Sequence, residues 1–328
     1  MTDFERVAVA GSALQRSGSY GGLGIDVFFV ISGFIIPLTL DRSGYQLRDY
    51  GRFVLKRVLR IDPPYLTAIA LMLIAWRASG WLGLPAINPN PVTRIQLLLH
   101  LGYLPSYFGY PWILGAAWTL AIEFQYYVCA GLIFPLMQNS KRFWLVIAPI
   151  LAVLSLAATS GQTIVAWVPL FLAGIAAFHL YTTRIRRAEF FFILGVLSVQ
   201  VAFLMGVPEA IVTAATACAI VFGKEGPKPL VWLGIISYPL YLMYGIFGRA
   251  SLYILNRYLP FVPLWLLTFI SLGVAIGAAV IMHVLVEQAA QRWSKSVSYR
   301  RPARGNGPTR IALQDPGSPA GKGASFIL

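Results

Sequence analysis

"GGLGIDVFFVISGFIIPLTL", Gly21 to Leu40, decides the fold class. From Gly24 to Leu40 its one ionisable residue is Asp26. At 1.5 Å of rise per residue, such a run is a helix long enough to cross most of a bilayer's hydrocarbon. A carboxylate near its start can cap free N–H groups or meet the positive end of the helix. Inside the run, Gly33 lets a neighbouring helix come close, and Ser32 can bond back to a carbonyl or across to another helix.

The rest of the chain has the same character. Of 328 residues, 58% are hydrophobic and 12% charged, with a mean hydropathy of +0.70. A soluble domain carries about a quarter charged residues. A chain this apolar has too little polar surface to face water, so its solvent is lipid. Apolar segments continue at Tyr65–Leu82, Gly115–Leu136, Phe143–Ala158, Thr163–Tyr181, Phe190–Met205, Ile211–Phe222, Leu230–Gly248 and Pro263–Val286. The reading is an all-α, polytopic transmembrane helix bundle of about nine spans. Ile211–Phe222 is short for a span, and Val92–Phe108, mixed in character, reads as an interfacial or re-entrant piece. Nothing repeats in the manner of a two-fold transporter.

The net charge of +14 does not point to nucleic acid, because the cations sit in short loops and in the tail, where a face apposed to anionic lipid accounts for them. One set of loops holds Arg42, Arg48, Arg52, Lys56, Arg57, Arg60, Lys141, Arg142, Arg184, Arg186, Arg187, Lys224 and Lys228, and the tail adds Arg292, Lys295, Arg300, Arg301, Arg304, Arg310 and Lys322. Of the 26 basic residues, the other side keeps only Arg6, Arg16, Arg77, Arg94, Arg249 and Arg257. This bias puts the first set and the C-terminus in the cytoplasm. Nine crossings then place the N-terminus outside, although residues 1–20 carry no signal-peptide pattern. The parity leads us to expect one further helix upstream of Met1. Three regions follow: a short outer segment 1–20, a transmembrane domain 21–293, and a tail 294–328 rich in Gly, Pro, Arg and Ser, read as disordered.

Ionisable residues in apolar segments are functional candidates by default; here they are Asp26, Arg77, Glu123, His179, His283 and Glu287. In "GRFVLKRVLRIDPPYL" (51–66), Arg57 and Arg60 share a helix face beside Arg52 and Lys56, just before a Pro-Pro stop. The block reads either as an anchor on anionic lipid or as a pocket for a phosphorylated ligand such as acyl-CoA, since guanidinium forks grip phosphate oxygens. "AWTLAIEFQYYV" (117–128) places Trp118, Glu123 and the pair Tyr126–Tyr127 at the start of a span, where Glu123, Gln125 and Tyr126 are too polar to face lipid. Glu123 and Tyr126, at i and i+3, form a hydrogen-bonded clasp or an acid/base and acceptor site. "VWLGIISYPLYLMYGIFG" (231–248) adds Ser237, Tyr238, Tyr241 and Tyr244, whose hydroxyls line a cavity or mark the interface. His179 reads as interfacial, His283 with Glu287 as a structural pair, and His100 as structural or catalytic. Cys129 and Cys218 read as packing residues, and no metal-ligand spacing occurs.

The ordered set "GIDVFFVISGF", "FVLKRVLRIDPPY", "AWTLAIEFQYY", "LGIISYPLYL" and "VLVEQAAQRW" resembles the membrane acyltransferase 3 family over Gly21 to Trp293. The resemblance implies a ten-helix bundle in a bacterial inner membrane. Its donor would be acyl-CoA, acetyl-CoA above all, reaching the site from the cytoplasm; the acceptor would be a hydroxyl of a cell-surface or exported polysaccharide or glycolipid. It implies Arg57 and Arg60, with Arg52 and Lys56, as donor-binding. Glu123 and Asp26 would be the carboxylates of the catalytic core, and Trp118, Tyr126, Ser237 and Tyr238 would stand near the substrate. Two features depart from the family: the arginine and histidine of a first helix have no counterpart here, and Tyr244 stands where a histidine is usual. A non-enzymatic carrier or scaffold is therefore the competing expectation.

Overall fold

The computed structural model describes residues 22–81, 91–158, 160–224 and 226–299. Every regular element among them is a helix, in the order α1 Leu23–Arg42, α2 Tyr50–Trp81, α3 Arg94–Leu101 and α4 Ala117–Met137. After them α5 (140–156) contains a π-helical turn at Phe143–Ile147, and α6 Ile164–Tyr181, α7 Arg187–Leu204, α8 Val207–Phe222 and α9 Lys228–Ile235 follow. The chain closes with α10 Ser237–Tyr258 and α11 Leu264–Ser296. Six helices are long and apolar enough to cross a membrane, or seven if α9 and α10, bent by 56° at their junction, make one broken span; α8 is apolar but shorter. Each of the nine apolar segments is helical over most of its described residues, and the protein is a multi-pass membrane protein.

One local expectation fails. Pro63 and Pro64 do not stop a helix: α2 runs through both. Proline lacks the N–H that would reach back four residues, so the carbonyls of Leu59 and Arg60 lose their helical donors. In a membrane bundle neighbouring groups make good such losses. Beside this gap the Tyr238 hydroxyl donates to the Ile61 carbonyl at 2.8 Å, and Thr67 Oγ1 donates to the Pro63 carbonyl at 2.8 Å. The basic block and the second apolar segment are thus one rod.

The rod is longer than the hydrocarbon needs. About 20 residues suffice to cross, whereas Leu47–Ser79 and Leu264–Ser296 have 33 each. The start of α2 and the end of α11 pack against each other. Ser294 Oγ donates to the Lys56 carbonyl at 2.8 Å, and Lys56 Nζ donates to the Val297 carbonyl at 3.0 Å.

Between helices with no water to expel, close packing supplies the attraction, and two glycines set it. A Cβ at Gly33 on α1 would fall on the Phe171 carbonyl of α6, and one at Gly174 on the Val30 carbonyl and the Gly33 backbone. Phe29 and Phe171, 5.0 Å apart, pack beside this crossing. We expect Gly33→Ala and Gly174→Ala each to cost about 1–3 kcal/mol through overpacking, read as a lower melting temperature in detergent. Gly195→Ala, with nothing within 4 Å of its Cβ position, should leave the melt unchanged or slightly higher.

Candidate functional site

The buried stripe of α2 is Phe53, Arg57, Ile61 and Tyr65, spaced by four as one helix face requires. Arg57 is only 8% exposed. Its guanidinium lies over two rings, 5.4 Å from the centroid of Phe53 and 5.3 Å from that of Tyr127. Among the described residues no carboxylate comes within ion-pair distance of it. Two buried atoms along the stripe have no hydrogen-bond partner, Arg57 Nε and the Tyr65 hydroxyl. Buried polar atoms are nearly always paired, so these two stand out among the described residues.

Opposite the stripe, α4 supplies Glu123, 7% exposed. The Tyr127 hydroxyl, one turn on, donates to its Oε1. Ser32 Oγ of α1 donates to the same oxygen at 3.3 Å, and among the described residues no bond to Oε2 is found. Arg57 and Arg60 both act electrostatically on Glu123 and on Tyr127. Tyr238 from α10 stands within the electrostatic reach of Glu123, Asp62, Tyr127 and Glu287. Asp62, beside the prolines, accepts from the Tyr103 hydroxyl at 2.8 Å, and Tyr103 stacks on Tyr65 with centroids 5.2 Å apart. The result is a polar cluster between α1, α2, α4 and α10, holding a cation, carboxylates and phenols inside an apolar bundle.

Of the residues singled out in the sequence, Arg57, Arg60, Glu123, Ser32 and Tyr238 meet here. Others are elsewhere. Lys56 is engaged by the Val297 carbonyl and lies under the Tyr299 ring, 5.0 Å from its centroid; Arg52 makes a loose 3.9 Å ion pair with Asp49. Tyr126 does not clasp Glu123. It stacks on Phe171 with centroids 4.1 Å apart and donates to the Gly33 carbonyl at 3.4 Å; the i+4 neighbour, Tyr127, makes the bond instead. Trp118 packs on Trp167 with centroids 5.6 Å apart. Gln125 Oε1 accepts from the Ile164 N–H at 2.9 Å, at the start of α6. Ser237 is exposed at the α9–α10 bend and bonds back to the Gly234 carbonyl at 2.8 Å. Tyr241 donates to the Ala116 carbonyl at 2.6 Å, and Tyr244 is exposed.

Asp26 is buried but is not the cap of α1, whose N-cap is Gly22 with no side-chain bond. Its charged neighbour is Glu209 of α8, and it lies six residues, about 9 Å of helix rise, before Ser32. The structure does not bring it to Glu123.

The histidines divide clearly. His100 Nδ1 donates to the Gln96 carbonyl at 2.7 Å, and Nε2 accepts from the Ile113 N–H at 3.2 Å. Burial pushes this imidazole below its ordinary range, against the pull of the Gln96 carbonyl. His179 is sealed rather than interfacial: Nε2 donates to the Met137 carbonyl at 2.8 Å, and Nδ1 accepts from Trp144 Nε1 at 2.8 Å. His283 Nδ1 lies 2.6 Å from Glu287 Oε2.

Sequence reasoning gave no role to Tyr127, Asp62, Tyr65 and Tyr103. The i, i+4 spacing to Glu123 was a signal for Tyr127. Asp62 was hidden by the expectation that the helix ends at Pro63, and the pairing with Tyr103 depends on contact across 41 residues.

The same chain resembles known proteins. The exopolysaccharide production protein ExoZ of Rhizobium meliloti (strain 1021) is 34% identical over 131 residues, 37% of this chain and 38% of that protein. Nodulation protein 10 of Rhizobium leguminosarum bv. viciae is 28% identical over 131 residues, 36% of this chain and 35% of that protein. The O-acetyl transferase of Shigella phage Sf6 is 26% identical over 174 residues, 49% of this chain and 50% of that protein. The chain thus matches half or less of the length of these relatives, and no solved structure matches it. The family profile described as an acyltransferase domain matches residues 8–284, most of the helix bundle, and the chain therefore belongs to the acyltransferase 3 family.

Proposed function

We propose that the protein is an acyl-CoA-dependent O-acyltransferase that moves an acetyl group to a hydroxyl of a cell-surface or exported polysaccharide. The observation that carries this reading is the Arg57 guanidinium, buried on α2 without a carboxylate partner and with Nε unbonded. A cation held this way has a standing affinity for an anion, and guanidinium binds phosphate through paired N–H donors. Arg60, one turn further along α2, is the second arm. The orphaned Nε fits the phosphate-bearing donor the family uses. The polysaccharide acceptor is supported by the names of two relatives, an exopolysaccharide production protein and an O-acetyl transferase.

Each residue of the cluster has work in such a transfer. Arg57 and Arg60 hold the donor's negative groups, and their charge faces the oxygen on which negative charge grows as the thioester is attacked. Glu123, held through Oε1 by Tyr127 and Ser32, presents Oε2 to orient an acceptor hydroxyl. Tyr238, tethered to the Ile61 carbonyl, closes the α10 side. By the charge bias of the loops, the start of α2 and the end of α11 face the cytoplasm, where acyl-CoA is available, and the membrane is the bacterial inner membrane.

Two outcomes follow. Arg57→Ala should lower kcat/KM for acetyl-CoA by roughly 30-fold or more, the effect of losing about 2 kcal/mol of charge-assisted hydrogen bonding, at an unchanged level of protein in the membrane. Unaltered transfer by Arg57→Ala in labelled-acetyl assays would remove the donor site. A reporter fused into the turn at Arg184–Arg187 should label from the cytoplasm only; labelling from outside would invert the topology and the donor route with it.

A further inference from the structure

We propose that the cleft at the ends of α1, α6, α7 and α8 binds one anionic phospholipid, its phosphate held between Arg42 and Arg187. The four helices pack on one another. Their ends meet around a cleft of about 310 Å³ whose lining includes Tyr181, Thr183, Arg187 and Phe222. That volume falls within the range of small-molecule sites, about 300–1,000 Å³. The site shares no residue with the Arg57–Glu123 cluster, so it stands apart from the acyl-transfer reading.

Charge decides the ligand. The end of α1 and the turn from α6 to α7 carry Arg42, Arg184, Arg186 and Arg187, with the carboxylates of Asp41 and Glu189. Arg184 takes Asp41 at 2.6 Å, and Arg186 takes Glu189 at 3.2 Å. Among the described residues Arg42 and Arg187 are left without a carboxylate, and both stand at the cleft. Arg187 forms part of its wall, its guanidinium 5.8 Å from the centroid of Phe222. Arg42 donates to the Tyr181 hydroxyl at 3.3 Å. Guanidinium groups in this position favour phosphate oxygens, which match their fork of N–H donors.

The walls of the cleft point to a lipid rather than a free anion. Tyr181, Phe191 and Phe222 are 44%, 52% and 45% exposed, and Phe191 stacks on Phe222 with centroids 5.9 Å apart. An acyl chain running down from the phosphate covers these rings. Basic pockets between transmembrane helices at the membrane surface suit lipid head groups in this way. The turn that borders the cleft is also strained. Arg184 N–H donates to the His179 carbonyl at 2.8 Å, and Thr183 N–H donates to the Leu180 carbonyl at 3.0 Å. Thr183 thus stands at φ 57°, in the left-handed place that glycine normally takes after a helix. Strain of this kind gathers at ligand clamps. The bound lipid ties the end of α1 to the start of α7.

The test uses the full chain purified in detergent, with phosphatidylglycerol, phosphatidylcholine or glycerol phosphate added. Native mass spectrometry counts what is retained, and the melting temperature reports its effect. The wild-type chain should retain one phosphatidylglycerol and melt higher with it, whereas the other two additions do neither. The double variant Arg42→Gln, Arg187→Gln should bind phosphatidylglycerol roughly 30-fold more weakly, the effect of two cations at a membrane surface. Arg292→Gln with Lys295→Gln removes as much charge from the exposed end of α11 and should bind as the wild type does. Normal binding by the Arg42, Arg187 variant overturns the site, and so does an equal loss in the α11 control. Equal retention of phosphatidylcholine reduces the contact to ordinary solvating lipid, and equal binding of glycerol phosphate reduces it to a plain anion site; each rejects the proposal. Should the double variant melt low before any lipid is added, Arg187→Gln alone replaces it. That variant should bind roughly 5-fold more weakly, and unchanged binding there rejects the proposal as well.

Discussion

Taking a guanidinium out of water costs several kcal/mol even after the surroundings relax, and Arg57 is taken out of water with no carboxylate against it. Its compensation is diffuse. Two aromatic faces, Phe53 and Tyr127, lie beneath it, each worth roughly 0.5–2 kcal/mol to a desolvated cation. The Glu123 carboxylate balances it through space. A protein that wanted only a stable bundle would put an apolar side chain here. A cation kept loosely balanced, with Nε unbonded among the described residues, is the feature on which the proposed donor site rests.

Site and scaffold are joined through two adjacent residues of α1. Gly33 brings α1 against the backbone of α6 at Gly174, and Ser32 reaches the carboxylate on α4. Any change in the α1–α6 spacing therefore moves a donor to Glu123. Tyr126 adds a second link, bridging the Gly33 carbonyl and the Phe171 ring. The i+3 tyrosine of α4 thus serves packing, while its i+4 neighbour Tyr127 serves the carboxylate.

The basic block is likewise divided by geometry. Along α2, residues four apart share a face, so Arg57 joins Phe53 and Ile61 inside, while Lys56 turns toward α11. There the Lys56 ammonium is bound by the Val297 carbonyl and the Tyr299 ring. Burial raises the Tyr299 phenol above its ordinary range, with Arg57 pulling the other way. A cluster of four cations in sequence becomes one buried guanidinium, one half-buried neighbour, one helix clamp and one loose surface pair.

Composition and periodicity determined the helical membrane class and the small residues at the α1 crossing, because apolar length and glycine position are local properties of the chain; of the nine spans expected, six helices, or seven with the bent pair, are long and apolar enough among the described residues. Arg57, Glu123 and Ser32 could be picked out as well, since a charge or hydroxyl inside an apolar run is conspicuous. The continuity of α2 through Pro63 and Pro64 could not be read, because a Pro-Pro pair taken locally is a helix stop. Nor could the choice of Tyr127 over Tyr126, the sealing of His100 and His179, or the separation of Asp26 from Glu123. Each depends on the rotation of one helix against another, which the packing of side chains across the whole bundle sets and no single segment contains.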